Sequence, residues 1–159
     1  MICCFTGHRK IPSAHMLKLP EVLDRELDRL IVAGVDTFRG GGAVGFDMLA
    51  ELKVIEKKKR YADLRLELIL PCRDQTKNWG ERDRVIYDYI VSEADCVEYV
   101  TDAYTPWCMH ERNRRLVKGS DYCVAYLAHG SGGTAYTVDQ AKKSGVEVIN
   151  LFDAIGEAY

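Results

Sequence analysis

The sequence predicts a three-layer α/β fold in which a mostly parallel sheet of about six strands is covered by helices on both faces, in one domain over residues 1–159. Two observations carry that expectation. Short apolar runs alternate with helical periodicity almost throughout, and βα repetition implies a parallel sheet buried on both sides. Polar or glycine-rich segments then follow the same end of several runs: "TGHRK", "GGGAVG", "PCRDQTKNW" and "HGSGGT". In open sheets of this kind, that carboxyl edge is where ligands sit.

Each element has its own signal. "MICCFT" reads as the first strand, and Leu19, Leu23, Leu27, Leu30 and Ile31 recur at helical spacing until Gly34. "DTFRG" is a short second strand. Phe46, Leu49, Leu52 and Ile55 mark one face of a helix closed by "KKKR", cations that suit a helix C-terminus. "LRLELIL" is a third strand ended by Pro71, followed by a polar loop over residues 72–80 and a helix carrying Val85, Ile86, Tyr89 and Ile90. "DCVEYV" is the fourth strand, and a helix runs from about Pro106 to Lys118. "DYCVAYLA" is the fifth strand, glycines 130, 132 and 133 lead into another helix, and "VEVINL" is the sixth. The last residues read as a frayed end or a short docked turn. Strand order is not legible from spacing, and an antiparallel last strand is open.

Composition narrows the function classes. With 22 basic and 24 acidic residues the formal charge is −2, so no global field draws nucleic acid or an anionic membrane. The N-terminal apolar run is too short for a secretion signal, and no run could span a bilayer. A cytoplasmic protein without a membrane partner is the expectation. The six cysteines, at 3, 4, 72, 96, 108 and 123, lie mostly in or beside apolar strand-like runs and form no C-x-x-C pair. They read as small buried hydrophobes in a reducing compartment. No metal-ligand cluster emerges.

The glycine segments carry the candidate chemistry. Gly40, Gly42 and Gly45 have G-x-G-x-x-G spacing, and with Gly41 they precede a helix whose free N–H groups would favour phosphate. Asp47 follows, suited to capping the helix, holding a sugar hydroxyl or orienting Arg9 or Arg39. A tight βα turn is the plainer account. The dinucleotide fingerprint is incomplete, because Glu67, the acid at the right distance, falls inside "LRLELIL" rather than at its tip. A second cradle comes from Ser131, Gly132, Gly133 and Thr134, with no following lysine and so no P-loop; its plainer account is a helix start capped by Thr134. Thr6, Gly7, His8 and Arg9 follow the first strand directly, and Arg9 brings a rigid fork for phosphate.

The helix near residue 110 has an interrupted apolar face. Met109, Leu116 and Val117 share a stripe, Asn113 falls within it and Arg112 borders it, whereas Glu111, Arg114 and Arg115 read as surface charges. A buried Asn113 must find partners, either backbone or ligand. Beyond the third strand, Trp79 could stack on a base whose polar edge Gln75 reads, although packing is the commoner fate of so large a ring.

Together, "TGHR", "GGAVGFD", "PCRDQTKNW" and "GGTAYTV" resemble the YpsA-like family within the SLOG group of Rossmann-like domains, over essentially the whole chain. The resemblance implies a binder of nucleotides or nucleotide-derived ligands, with LOG phosphoribohydrolases and DNA-processing protein A among its relatives, and self-association as in the dimeric LOG enzymes. "MHERN" keeps the LOG positions Met109, His110 and Arg112 but has Asn113 where lysine would fall. Thr137 stands where the catalytic glutamate would be, and threonine cannot steady an oxocarbenium ion or activate water at neutral pH. Enzymatic activity is thus left open, with Asp47 as the stand-in if there is one.

The leading expectation is binding or sensing of a small phosphorylated nucleotide or derivative at the carboxyl edge, with no required cofactor beyond that ligand. Its site would draw on Thr6, Gly7, His8, Arg9, Gly41, Gly42, Gly45, Asp47, Gln75, Trp79, Arg112, Asn113, Ser131, Gly132, Gly133 and Thr134. The rivals are N-glycosidic hydrolysis of a nucleoside phosphate through Asp47 and a water, single-stranded DNA binding, and a partner-binding protein with a vestigial pocket.

Overall fold

A computed structural model of the chain describes residues 1–156. Its elements are β1 (Ile2–Gly7), α1 (Ser13–Met16), α2 (Leu19–Val32), β2 (Thr37–Gly40), α3 (Phe46–Lys58), β3 (Arg65–Cys72), α4 (Glu81–Glu93), β4 (Cys96–Thr101), α5 (Cys108–Val117), β5 (Tyr122–Tyr126), α6 (Gly133–Lys143), β6 (Glu147–Asn150) and α7 (Leu151–Gly156). The strands form one six-stranded sheet in the order β4-β3-β2-β1-β5-β6. Every pairing is parallel, β6 included, so the α/β Rossmann-like expectation holds and the antiparallel option for the last strand does not.

This order creates a crevice. The chain steps outward from β1 through β2 and β3 to β4, then returns through α5 to lay β5 against the other side of β1. At that reversal the connections leaving β1 and β5 part to opposite faces, which opens the carboxyl edge. Gly7 pairs with Tyr126 there, so the two strand tips end level.

Alternation along β1 supplies both cores. Cys3 and Phe5 join the larger apolar cluster, with Leu19, Leu23, Leu27 and Leu30 of α2 and Phe46 of α3. Cys4 joins the smaller one, with Leu116 and Val117 of α5 and Val138 and Ala141 of α6. A strand period of two explains the division. The four α2 leucines are fully buried, each contributing roughly 1.5–3 kcal/mol of transfer free energy. The cysteines are all free thiols, and only Cys96 on β4 is exposed.

Several boundaries differ from the sequence expectation, each for a local reason. Pro71 does not end β3, which continues to Cys72. On the β2 side pairing has already stopped at Leu68, so the proline's missing N–H breaks no ladder there. β5 stops at Tyr126 because side chains take the next amides: Leu127 N–H donates to Asn150 Oδ1 and Ala128 N–H to His8 Nε2. α1 has no apolar repeat to announce it; His15 is buried there with Nδ1 2.7 Å from the Tyr126 hydroxyl. Leu151–Gly156 form α7, with Leu151 and Ile155 buried, and the expected fraying beyond it lies outside the described residues.

Candidate functional site

The crevice holds a cleft of about 290 Å3. Thr6, Gly7, His8 and Arg9 line it from the tip of β1, Ala43 and Asp47 from the first glycine loop and α3, Met109, His110, Arg112 and Asn113 from α5, and Gly133 and Thr134 from α6. Thr6, Asp47, Arg112, Asn113 and Thr134 in its walls are buried, whereas Arg9, His110 and Gly133 are exposed. A larger cavity of about 540 Å3 lies between α5 and the outer strands, but its charges pair among themselves, Arg39 with Glu67 and Arg115 with Glu98. That pairing takes Arg39 away from Asp47 and gives Glu67 a structural role.

The two glycine loops behave differently. The first is turned inward: Gly42 N–H donates to Glu51 Oε2 at 3.0 Å and Ala43 N–H to Asp47 Oδ2 at 3.3 Å. A Cβ on Gly42 would lie 2.5 Å from Leu70, and one on Gly41 would lie 2.7 Å from the Arg112 guanidinium. Gly45, at φ +84°, would drive a Cβ into the Arg9 backbone. These glycines let the loop pack on protein, and the Gly42 and Ala43 amides already hold carboxylates. The second loop is open, with nothing within 4 Å of a Cβ on Gly132 and only Asn113 Nδ2, at 3.8 Å, near one on Gly133. It leads into the N-terminus of α6, whose cap carries no side-chain hydrogen bond, so Thr134 is not the cap.

A buried charge cluster supports the cleft floor. Arg112 donates from Nε to Asn113 Oδ1 at 2.7 Å and from a terminal nitrogen to the Gly41 carbonyl at 2.5 Å. Burial pushes the Asp47 carboxyl up to about 6, with Arg112, the Ala43 amide and Arg9 pulling the other way. Glu51 is driven well above the usual carboxylate range by burial and by Asp47 beside it. Joint ionisation of the two acids is thus disfavoured, and Arg112 supplies the main charge offsetting burial at Asp47. Asp47 Oδ1 and Glu51 Oε1 are buried with no hydrogen-bond partner.

The other side chains divide by what they touch. With its Oδ1 taken by Arg112, Asn113 has only its amide N–H groups left to offer toward Gly133. Thr137, fully buried, donates its hydroxyl to the Gly133 carbonyl at 2.9 Å, a backbone bond one turn back. His8 Nε2 accepts the Ala128 N–H at 2.8 Å, so the neutral ring carries its proton on Nδ1. Its ring stacks on His129, centroids 4.3 Å apart. Burial, then the charge of His129, lowers its pKa.

Seven expected residues fall outside the cleft wall: Gly41, Gly42 and Gly45 of the inward-turned first loop, and Ser131, Gly132, Gln75 and Trp79. Ser131 and Gly132 sit on the exposed approach to α6. Gln75 and Trp79 line an adjoining cavity, and Gln75 Nε2 reaches the Gly41 carbonyl at 3.5 Å. The residue that sequence reasoning missed is Glu51. It lies one turn after Asp47 on the face that carries Val54 and Ile55 into the core, but an acid in a helix ordinarily reads as surface, so that position alone does not single it out.

Residues 4–151 match the family model for YpsA, described as the YspA SLOG family. A UPF0398 protein of Bacillus cereus is 30% identical over 130 residues, covering 80% of this chain and 71% of the relative. Among solved structures, DNA processing protein A of Helicobacter pylori, described for its single-stranded DNA binding mode, aligns with a TM-score of 0.66 at 20% identity. That of Streptococcus pneumoniae aligns with a TM-score of 0.68 at 15% identity. These alignments cover 93% and 92% of this chain but only 63% and 48% of the two structures, so the chain spans about half to two thirds of their lengths. At such identities the likeness is one of fold. No helix among the described residues is long and apolar enough to cross a membrane. The match over residues 4–151 sets the relationship: the chain belongs to the YspA SLOG family.

Proposed function

We propose that the chain binds a phosphorylated, nucleotide-derived ligand in the cleft between β1, α5 and α6, with the phosphate at the N-terminus of α6. One observation carries this reading: the open second glycine loop, the Asn113 amide and Arg9 converge on one cavity that also holds the buried polar side chains of Thr6, Asp47, Arg112 and Thr134. A helix N-terminus supplies unpaired N–H groups and a favourable field, and an arginine at the rim adds a charge-assisted bond. The first glycine loop acts as a joint that holds Asp47 and Arg112 in place, and Asp47 faces the uncharged part of the ligand. Family membership and the fold shared with DNA processing protein A point in the same general direction.

Ligand-dependent thermal stabilisation of the purified chain tests this. A ligand at a hundred times its Kd adds about 2.7 kcal/mol to the native state. Phosphorylated nucleosides should stabilise and unphosphorylated ones much less. Arg9→Ala should weaken the phosphorylated set by roughly tenfold or more, the worth of a hydrogen bond to a charged group. Equal responses from Arg9→Ala and the parent chain would defeat the phosphate assignment. Two further arms cover the rivals: salt-dependent retention on single-stranded DNA would favour a nucleic-acid ligand, and release of ribose phosphate would favour hydrolysis through Asp47.

A further inference from the structure

The cleft is small for what it is asked to hold. Its volume of about 290 Å3 falls just under the roughly 300–1,000 Å3 of ordinary small-molecule sites. A second cavity of about 500 Å3 adjoins it, and Arg9 and Met109 belong to the walls of both. Its remaining walls come from the segment after β3 and from Tyr104, and include Asp74, Gln75, Asn78 and Trp79.

We infer that the ligand bridges the two cavities, its phosphorylated sugar in the cleft and its ring in the second cavity beside Trp79 and Tyr104. This rests on the phosphate reading above and assigns the base to a place. The Trp79 ring and the Tyr104 backbone are held in position. Trp79 meets Tyr87 edge-to-face, centroids 5.5 Å apart, and Tyr104 N–H donates to Asp74 Oδ1 at 3.1 Å. Tyr104 is nonetheless 65% exposed, a large ring left in water at the edge of a cavity. Flat rings favour such walls, and Asp74 and Asn78 supply polar groups for a ring edge. A third cavity, on the far side of Arg9, is less suited to a base: His8 there is already bonded to Ala128 and stacked on His129.

Calorimetry with adenosine, cytidine, guanosine and uridine monophosphates, ribose 5-phosphate and adenosine as probes tests the assignment. At least one nucleotide should bind about tenfold or more tightly than ribose 5-phosphate. Trp79→Ala and Tyr104→Ala should each erase most of that margin and leave ribose 5-phosphate binding unchanged. Should Trp79→Ala fold poorly, the exposed Tyr104 still decides. The chain has two tryptophans, so Trp107→Phe leaves Trp79 as the sole reporter. The preferred nucleotide should quench its fluorescence, and ribose 5-phosphate should not. If every nucleotide only equals ribose 5-phosphate, or Tyr104→Ala keeps the full margin, the base does not lie here and the inference is overturned. Adenosine binding as tightly as its monophosphate would overturn the phosphate reading alone. Failure of every probe to bind would overturn both.

Discussion

Asp47 and Glu51, one turn apart on α3, both direct a carboxylate oxygen onto the first glycine loop, receiving the Ala43 and Gly42 amides at 3.3 and 3.0 Å. Two acids on one buried helix face are costly if both ionise. They share the problem unequally: the charge of Arg112 offsets part of the burial at Asp47, whereas Asp47 itself adds to the upward push on Glu51.

That arrangement fixes a pH dependence. A carboxyl group whose folded pKa is raised binds its proton more tightly in the native state. Its stabilising effect is complete below the unfolded carboxylate range and is lost as pH rises toward the folded value. Glu51→Gln keeps an acceptor for Gly42 and removes the titration. The variant should match the parent chain near pH 4 and become the more stable of the two by pH 7. Urea unfolding across that range measures it, and a stability difference that does not grow from pH 4 to pH 7 would show that burial does not raise the Glu51 pKa.

Arg112 is the counterpart charge. Arg112→Met would remove the charge that offsets burial at Asp47 and leave the Gly41 carbonyl and Asn113 Oδ1 without their donor, at a cost of about 1–3 kcal/mol for each stranded acceptor. Adding Asp47→Asn should recover about 1–3 kcal/mol of that loss, because the stranded charge is gone. Arg112→Lys should also destabilise, since an ammonium cannot reach Asn113 and Gly41 as a planar fork does. Denaturant midpoints for the three variants and for Asp47→Asn close the cycle; strict additivity would mean the two side chains act independently.

The division of labour between the two glycine loops was not legible in the sequence. Strand and helix periodicity placed β1 to β6 in order, and turn chemistry placed both loops at the carboxyl edge. Those signals are local. Which loop faces a ligand depends on what packs behind it, and the partners of Gly41, Gly42 and Gly45 are Arg112, Leu70 and Arg9, far away in the chain. Asn113 within an apolar stripe was legible because a buried amide stands out against Leu116 and Val117. Glu51 was not, because an acid in a helix ordinarily reads as surface. Pro71 misled for the opposite reason: a local rule about strand ends gave way to an edge of the ladder that no longer needed its N–H.

Gly45 tests the joint directly. Its φ of +84° disfavours an L side chain, and a Cβ would meet the Arg9 backbone. Gly45→Ala should cost about 2–4 kcal/mol, combining backbone strain with overpacking. Gly130→Ala, with nothing within 4 Å of the added carbon, should stay within about 0.5 kcal/mol of the parent chain. Thermal unfolding of the pair separates a packed joint from a free loop.

His8 links the tip of β1 to the approach to α6, and its proton should control that link. Nε2 accepts the Ala128 N–H, so protonating the ring replaces an acceptor with a donor and breaks the bond. Burial and the neighbouring His129 lower its pKa. A histidine with a lowered folded pKa contributes stability that is complete above the unfolded value of about 6.5 and is lost as pH falls toward the folded one. At pH 7.5 nitrogen NMR should find the His8 proton on Nδ1. The Ala128 amide should lose hydrogen-exchange protection, relative to its neighbours in β5, as the His8 ring takes up its second proton in acid. His8→Gln, which offers a non-titrating acceptor, should keep more of that protection in acid. An Ala128 amide that stays equally protected once NMR shows the His8 ring doubly protonated would mean the imidazole does not hold the loop.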